Sequence, residues 1–408
     1  MKQRFCLKKM KSSIIRNSTL KSAAVVALVL LFVSSCRTLP LTDLQSGIDR
    51  ISVRYVPDQR EGISNIMLVE GKNNELVLKG ETDSPELKQE VRDSLKKEGF
   101  IVKDSIMILP GIALGEYRYG IVSLSVINLR KEPEHSAELV SQAVMGTPVK
   151  VLRNEDYWLL IQTPDKYIAW TEKSSVQLMN ESDMKEWKDS PKLICMNNSG
   201  WIYESPEEKG VVGDLVAGCM MQSAGNSDGY AKVILPDGRE GFVRNKSVEE
   251  FNSWKNSTIF NGDDICKVAS TMMGLPYLWG GSSTKAVDCS GFVQTTFFLN
   301  GIILSRDASL QALHGLSVDI SDGWKNLQTG DLLFFGSIRN SKHRVTHVAI
   351  YKGNSEFIHA SGRVMVNSLD STRSNYSSYR KSSLLSARRT IGSQGSHGIV
   401  AVKDHNWY

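Results

Sequence analysis

The sequence predicts a mixed α+β protein in successive parts: a small α+β segment, two small β-barrels, and a larger α+β domain toward the C-terminus. Three observations predict it. A capped helix with apolar residues at helical spacing stands between short alternating strands before residue 116. Short strands separated by turns follow from 125 to 170 and again, more loosely, from 201 to 243. From 258 onward, helical patterns come first and strands later, which is the order of an α+β domain. A length of 408 residues agrees with several domains.

Residues 1–35 are set apart by charge. Lys2, Arg4, Lys8, Lys9, Lys11, Arg16 and Lys21 precede an apolar run from Ala23 to Val33, with no acid among them. An apolar run of this length is too short for a bilayer, which needs roughly 20 residues. It suits the core of a signal peptide. Val33-Ser34-Ser35-Cys36 resembles a bacterial lipoprotein processing box. That resemblance implies cleavage before Cys36, lipidation of its thiol and a membrane anchor of several acyl chains. Arg37 follows rather than an acid, so by analogy with lipoprotein sorting the expected place is the outer membrane, facing the periplasm. Removing the seven cations from the formal charge of +5 leaves −2, which is not the basic footprint of a nucleic-acid binder.

The segment 36–116 reads as a small α+β domain. Glu75 to Lys79 alternates as a strand does. Asp83-Ser84-Pro85-Glu86 offers an N-cap with proline in the first turn, and Leu87, Val91 and Leu95 then recur at helical spacing up to Gly99. Ile101-Val102 and Ile106 to Leu109 extend the strand content. No catalytic constellation lies here, so a scaffold or interaction role is expected. Residues 117–182 carry strands at Ser125–Arg130, Val149–Leu152, Trp158–Gln162 and Tyr167–Trp170. Their order, NLRKEP … GTPVKVL … WLLIQTP … YIAW, resembles bacterial SH3-like domains. Residues 190–256 repeat the plan through Trp201–Tyr203, Ala231–Leu235, a Pro236-Asp237-Gly238 turn and Gly241–Val243, as a degenerate second copy. The domain 258–392 has an opening helix, the run Leu275 to Gly281, a second helix from Cys289, and strands at Asp331–Phe335, His347–Tyr351 and Glu356–His359. The tail 393–408 is rich in Gly, Ser and His, with an aromatic end of no legible role.

Six cysteines divide by setting. Cys6 leaves with the signal, and Cys36 takes lipid. Cys195 and Cys219 share one small domain, as a disulfide or as two buried thiols. Cys266 lies in a helical pattern and reads as core. No CxxC or Cys/His cluster has zinc spacing, and no metal or cofactor is expected. Cys289, in Asp288-Cys289-Ser290-Gly291-Phe292, opens a helix and precedes His347 and His359.

Those three residue types supply a nucleophile, a base and an orienting group. A thiol attacks as thiolate, and a helix N-terminus with a neighbouring imidazolium is expected to depress the Cys289 pKa. Gly291 permits close packing beneath the nucleophile, and the Cys289 backbone N–H is positioned to donate to an oxyanion. His347 and His359 must share a sheet face, which register decides. A two-residue loop at Gly353-Asn354 pairs Lys352 with Ser355 and separates the histidines. An odd loop or a bulge is therefore required, and a three-residue loop brings His359 beside Ala349.

The string PYLWGG … DCSGF … SRDASLQ … GDLLFF … HVAIY … FIHAS closely resembles the NlpC/p60 family of papain-like cell-wall cysteine peptidases, over some 130 residues. The layout with two SH3-like domains resembles the γ-D-glutamyl-L-diamino acid endopeptidases of that family. The resemblance implies Cys289 as nucleophile, His347 as base and His359 as orienter, with Tyr277 supporting the oxyanion site. It implies Trp279, Asp288 and Ser290 at the substrate pocket, and Asp307 as receiver of the free α-amine of an N-terminal L-Ala. Ala308 departs from relatives with serine there. Glu138 and Tyr167 of the first barrel are expected to add contacts. A buried ammonium needs a paired carboxylate, which supports Asp307 on physical grounds; the competing reading pairs Asp307 with Arg306. The expected substrate is a murein peptide released from its glycan, acted on by a monomer. Cleavage of glycan-linked stems, a non-catalytic wall-binding lipoprotein, and an amidase or acyltransferase on the same fold are the alternatives. A blocked pocket beyond Asp307 favours the free peptide over the glycan-linked one.

Overall fold

A computed structural model of the chain describes residues 40–71 and 75–408. The signal segment and Cys36 lie outside the described residues. No helix among the described residues is long and apolar enough to cross a membrane.

The N-terminal unit is a three-stranded sheet with two helices packed on it. Strands Ser64–Glu70 and Leu76–Thr82 are antiparallel, and Val102–Ile108 joins in parallel after a crossover through helix Pro85–Lys97. Ser84 caps that helix, its side chain accepting from Leu87 N–H, with Pro85 at the position where a missing N–H costs nothing. Leu87, Val91 and Leu95 bury the inner face against Leu44, Ile48 and Ile51 of helix Leu41–Tyr55 and Leu78 and Ile106 of the sheet.

Two seven-stranded antiparallel sheets follow. In the first, the order across the sheet is Val176–Met179, Tyr119–Val122, Pro148–Glu155, Trp158–Gln162, Ile168–Glu172, Val126–Arg130, Leu139–Val144. Written from its other edge, the second sheet has the same order of strands by chain position, from Val248–Glu250 to Val211–Leu215. The degenerate sequence copy is thus a topological copy. The expected barrels are corrected in one respect: the first and last strands of each sheet do not pair with each other, so both sheets are open. Each curls around its own apolar core, Val149, Leu159 and Ile161 in the first and Ile202, Met221 and Val233 in the second.

The C-terminal unit is α+β. A six-stranded antiparallel sheet runs Leu316–Val318, Leu384–Arg389, Leu332–Arg339, Lys342–Gly353, Glu356–Ser361, Arg363–Ser368. Helices Gly262–Thr271 and Cys289–Phe298 contribute Ile265, Ala269, Phe292, Val293 and Phe297 to the core on one face. Phe335, Ala349 and Phe357 point to the other face, as period-two alternation demands.

The units are joined by polar and apolar contacts. Gln142 of the first seven-stranded sheet and Ser282 of the C-terminal unit exchange three hydrogen bonds, at 3.1, 3.2 and 3.0 Å. Gly280 (φ +76°) is required beside them, because a Cβ there would lie 2.4 Å from the Leu139 carbonyl oxygen. Ile63 and Leu109 of the N-terminal unit pack on Leu152, Trp158, Leu160 and Trp170. The tail is also a tie: Ile399–Ala401 pairs with Ile302–Leu304, and Tyr408 is buried against Phe251 and Phe298. The cysteines of the second sheet are free, buried thiols, raised by burial to about 11 at Cys195 and about 12 at Cys219.

Candidate active site

Cys289 is the first residue of helix Cys289–Phe298, and Asp288 is its N-cap, accepting from Gly291 N–H at 2.7 Å. Gly291 sits so close to the preceding loop that a Cβ would lie 2.0 Å from the Gly281 carbonyl oxygen. A larger residue would push the helix that Cys289 opens off its seat. The Asp288 carboxylate does more than cap. It also accepts from Gly280 N–H at 3.0 Å and from both terminal nitrogens of Arg306, at 3.1 and 2.7 Å. Arg306 is fully buried and is completed by the hydroxyls of Ser290 (3.0 Å) and Ser141 (2.9 Å). Asp288 and Ser290 border the cleft, but their polar atoms are engaged inside the protein. Arg306 is therefore spoken for by Asp288 and makes no ion pair with Asp307.

The two histidines meet. His347 Nε2 lies 2.8 Å from His359 Nδ1, with the rings edge-on at 87°. The register that permits this comes from a bulge. The turn is Asn354-Ser355, both at positive φ (51° and 64°), as a two-residue hairpin of this hand needs. Gly353 pairs with Glu356, and the register then shifts so that Tyr351 faces Phe357 and Ile350 faces Ile358. The extra residue brings His359 level with Ala349, on the face of His347. The expected odd residue is thus present as a bulge, with the turn one position later than Gly353-Asn354.

A fourth member was missed in the sequence. His359 Nε2 lies 2.9 Å from Asn367 Oδ1, and Asn367 Nδ2 donates to the Asn375 carbonyl at 3.0 Å. That second bond makes Oδ1 the side facing His359, so His359 Nε2 carries the proton and donates. His359 Nδ1 then holds a lone pair, His347 Nε2–H donates to it, and His347 Nδ1 is left as the free base. The available signal was faint: Asn367 is opposite Phe357, one diagonal step from His359, and only a register places it there.

The electrostatics correct one expectation. Burial pushes the Cys289 thiol up to about 11, with Asp288 adding to the effect. The N–H groups of Val348 and Ser290 act the other way and are outweighed. Burial lowers His347 well below its ordinary value and His359 to about 4. Burial thus favours the neutral thiol and the neutral imidazoles, against the expected depression of the Cys289 pKa. Tyr277, half-buried nearby, is raised to about 12, mainly by burial.

A cleft of ≈ 910 Å³ opens over Cys289, bordered by Tyr277, Trp279, Glu138, Tyr167 and Asp307 among others. Such a volume suits a small-molecule or short-peptide ligand. Trp279 Nε1 donates to Glu138 Oε1 at 2.9 Å, bridging the C-terminal unit and the first seven-stranded sheet. Tyr167 is buried, its hydroxyl held up by burial and by the neighbouring Asp307 carboxylate. Asp307 precedes the short helix Ala308–Gln311 and pairs with Arg60 of the N-terminal unit, Nη1 to Oδ2 at 2.7 Å. The cleft thus gathers Cys289, Tyr277, Trp279, Asp288, Ser290, Asp307, Glu138 and Tyr167, while His347, next in the chain to Thr346 of the cleft, meets His359, and Cys36 lies outside the described residues. Among the described residues no group of His, Cys, Asp and Glu is arranged to hold a metal.

Comparison with known proteins bears on the family and the fold. The NlpC/P60 family profile matches residues 274–389, and a bacterial dipeptidyl-peptidase SH3 domain profile matches 129–176. The chain is 27% identical over 231 residues to a γ-D-glutamyl-L-lysine dipeptidyl-peptidase of Bacillus cereus, covering 55% of this chain and 67% of that one. It is 33% identical over 150 residues to the murein DD-endopeptidase MepS/murein LD-carboxypeptidase of Escherichia coli, covering 36% of this chain and 76% of that one. In fold it resembles a crystal structure of an NlpC/P60 family protein from Bacillus cereus, with a TM-score of 0.57 at 22% identity over 66% of this chain and 99% of the other. With a cysteine at a helix N-terminus, a histidine relay and SH3-like sheets before them, the chain belongs to the NlpC/P60 family of cell-wall cysteine peptidases.

Proposed function

We propose that this peptidase hydrolyses the γ-D-Glu–diamino acid bond of murein peptides that carry a free N-terminal L-Ala. The observation that carries the reading is a single cleft that holds both Cys289 and the Asp307 carboxylate. The cleft that holds Cys289 and Asp307 is also lined by Asp58, Gln59 and Arg60 of the N-terminal unit and by Tyr167 and Ile168 of the first sheet. A carboxylate in the same cleft as the thiol suits the ammonium of a short peptide with a free N-terminus. Similarity to the γ-D-glutamyl-L-lysine dipeptidyl-peptidase of Bacillus cereus supports the same bond.

In this reading His347 Nδ1 takes the thiol proton as Cys289 Sγ attacks the γ-carbonyl carbon of D-Glu. The new imidazolium is stabilised by the His359 lone pair, which Asn367 orients. The oxyanion takes hydrogen bonds from the Cys289 backbone N–H and the Tyr277 hydroxyl. The imidazolium then protonates the departing amine of the diamino acid, and water hydrolyses the thioester. A neutral resting thiol fits this sequence, because proton transfer accompanies attack. Trp279, Glu138 and Tyr167 shape the pocket around L-Ala, while Asp288 and Ser290 hold its floor through Arg306. The protein acts as a monomer without a cofactor, anchored through lipid on Cys36 to the outer membrane and facing the periplasm.

The test uses the full-length chain in detergent with L-Ala-γ-D-Glu-diaminopimelate, free or N-acetylated. The expected result is release of L-Ala-D-Glu from the free peptide only, abolished by Cys289→Ala. Equal cleavage of the acetylated peptide overturns amine recognition.

A further inference from the structure

Asp307 does not face the cleft alone. The loop between helix Leu41–Tyr55 and strand Ser64–Glu70 reaches across to it. Three bonds pin that loop between the first seven-stranded sheet and the C-terminal unit. Ile168 N–H donates to the Arg60 carbonyl at 2.8 Å, Gln162 Nε2 to the Glu61 carbonyl at 3.1 Å, and Ser305 Oγ to Glu61 Oε1 at 3.1 Å. Held this way, Arg60 Nη1 donates to Asp307 Oδ2 at 2.7 Å and to Ser309 Oγ at 3.1 Å. Its other edge is a fork on Asp58, Nε to Oδ1 at 2.8 Å and Nη2 to Oδ2 at 2.5 Å.

The fork decides what Arg60 does. A lone guanidinium beside Asp307 would cancel the charge that an ammonium needs. Asp58 offsets it: the Asp58–Arg60 pair is formally neutral, so the trio keeps a net charge of −1. The bond from Arg60 falls on one oxygen only. Asp307 Oδ1 has no protein hydrogen-bond partner among the described residues, and Asp307 makes no capping bond to its own short helix. The side chain is therefore fixed by Oδ2 and open at Oδ1. The hydrogen bonds from Arg60 hold the Asp58 carboxyl below its usual range, so the pair stays charged on both sides at neutral pH.

We infer that Asp58 and Arg60 form a neutral clamp that positions Asp307 for the substrate's α-ammonium, and that the N-terminal α+β unit is thereby part of the specificity site. The inference rests on the reading that Asp307 receives a free amine. Both are positioning residues: they act on the substrate through the orientation and the uncancelled charge of Asp307.

Steady-state kinetics on the full-length chain in detergent test it, with the free and the N-acetylated peptide as substrates. Asp58→Asn leaves the guanidinium uncompensated beside Asp307, so KM for the free peptide rises about tenfold while kcat stays within about twofold. Asp58→Glu, which keeps the charge, stays within about twofold in KM. The double variant Asp58→Asn/Arg60→Gln removes both charges together and returns KM to within about threefold of the unaltered protein. A loop that merely braces the fold would show no such rescue and would move kcat with KM. The clamp is overturned if Asp58→Asn leaves KM unchanged, or if the double variant is no better than the single one, in an enzyme that still prefers the free amine. If the unaltered enzyme cleaves both peptides equally, amine recognition itself falls, and the clamp's role falls with it.

Discussion

Replacing Asn367 with leucine probes the histidine relay where it is most exposed to a single change. Asn367 Oδ1 accepts the His359 Nε2 proton at 2.9 Å, and His359 is almost fully buried. Removing the acceptor leaves a buried N–H without a partner, at a cost of about 1–3 kcal/mol. His359 can avoid that cost by moving its proton to Nδ1, which then opposes His347 Nε2–H. His347 must in turn shift its own proton to Nδ1 and lose the lone pair that serves as base. Either way the productive tautomer is disfavoured by about 1–3 kcal/mol, equivalent to a roughly 5- to 150-fold loss in kcat/KM. The assay is hydrolysis of the free tripeptide, with the urea midpoint measured in parallel to confirm that the variant is folded. Asn367→Asp keeps an acceptor and retains activity at neutral pH, while its negative charge favours His359 imidazolium and shifts the acid limb upward. A folded Asn367→Leu enzyme with kcat/KM within about twofold of the original would refute the tautomer argument.

Three further outcomes follow from the same site. The pKa values of His347 and His359 lie below their ordinary value, so kcat/KM should hold steady as pH drops through 6.5 and fall only below it. For the same reason folding stability is full above 6.5 and declines as pH falls from 6.5 toward 4, because the unfolded chain binds protons that the buried rings resist; Tm against pH measures this, and a Tm that rises on acidification over that range contradicts it. Asp288→Ala removes an N-cap and strands the fully buried Arg306, so unfolding free energy should drop by about 3–5 kcal/mol; a loss under about 1 kcal/mol would mean that Arg306 finds another anion.

Much of the site was legible because its parts are local. Asp288, Cys289 and Gly291 advertise a helix start by residue type alone, and the cap observed is the one that types and spacing imply. The helix at Pro85 was legible for the same reason. Parity arguments reached further: the histidines' shared face demanded an odd residue between them, and the bulge between Tyr351 and Gly353 supplies it. Its position was not readable, since a bulge and a longer loop satisfy parity equally. Open or closed sheets were likewise beyond the strand pattern, because closure depends on the pairing of two edges that share no local signal.

The sequence by itself made legible a cysteine at a helix N-terminus and two histidines on adjacent strands through short-range patterns, and the Asp307 carboxylate through family resemblance. Tertiary structure decided how each group is charged and what it faces. Burial raises the Cys289 pKa against the pull of its helix, because desolvation depends on the whole surrounding core. Packing gave Asp307 an arginine 247 residues away in the chain, and turned an N-terminal segment without chemistry of its own into a wall of the cleft. Such pairings follow from how separate units dock, and no spacing along the chain records them.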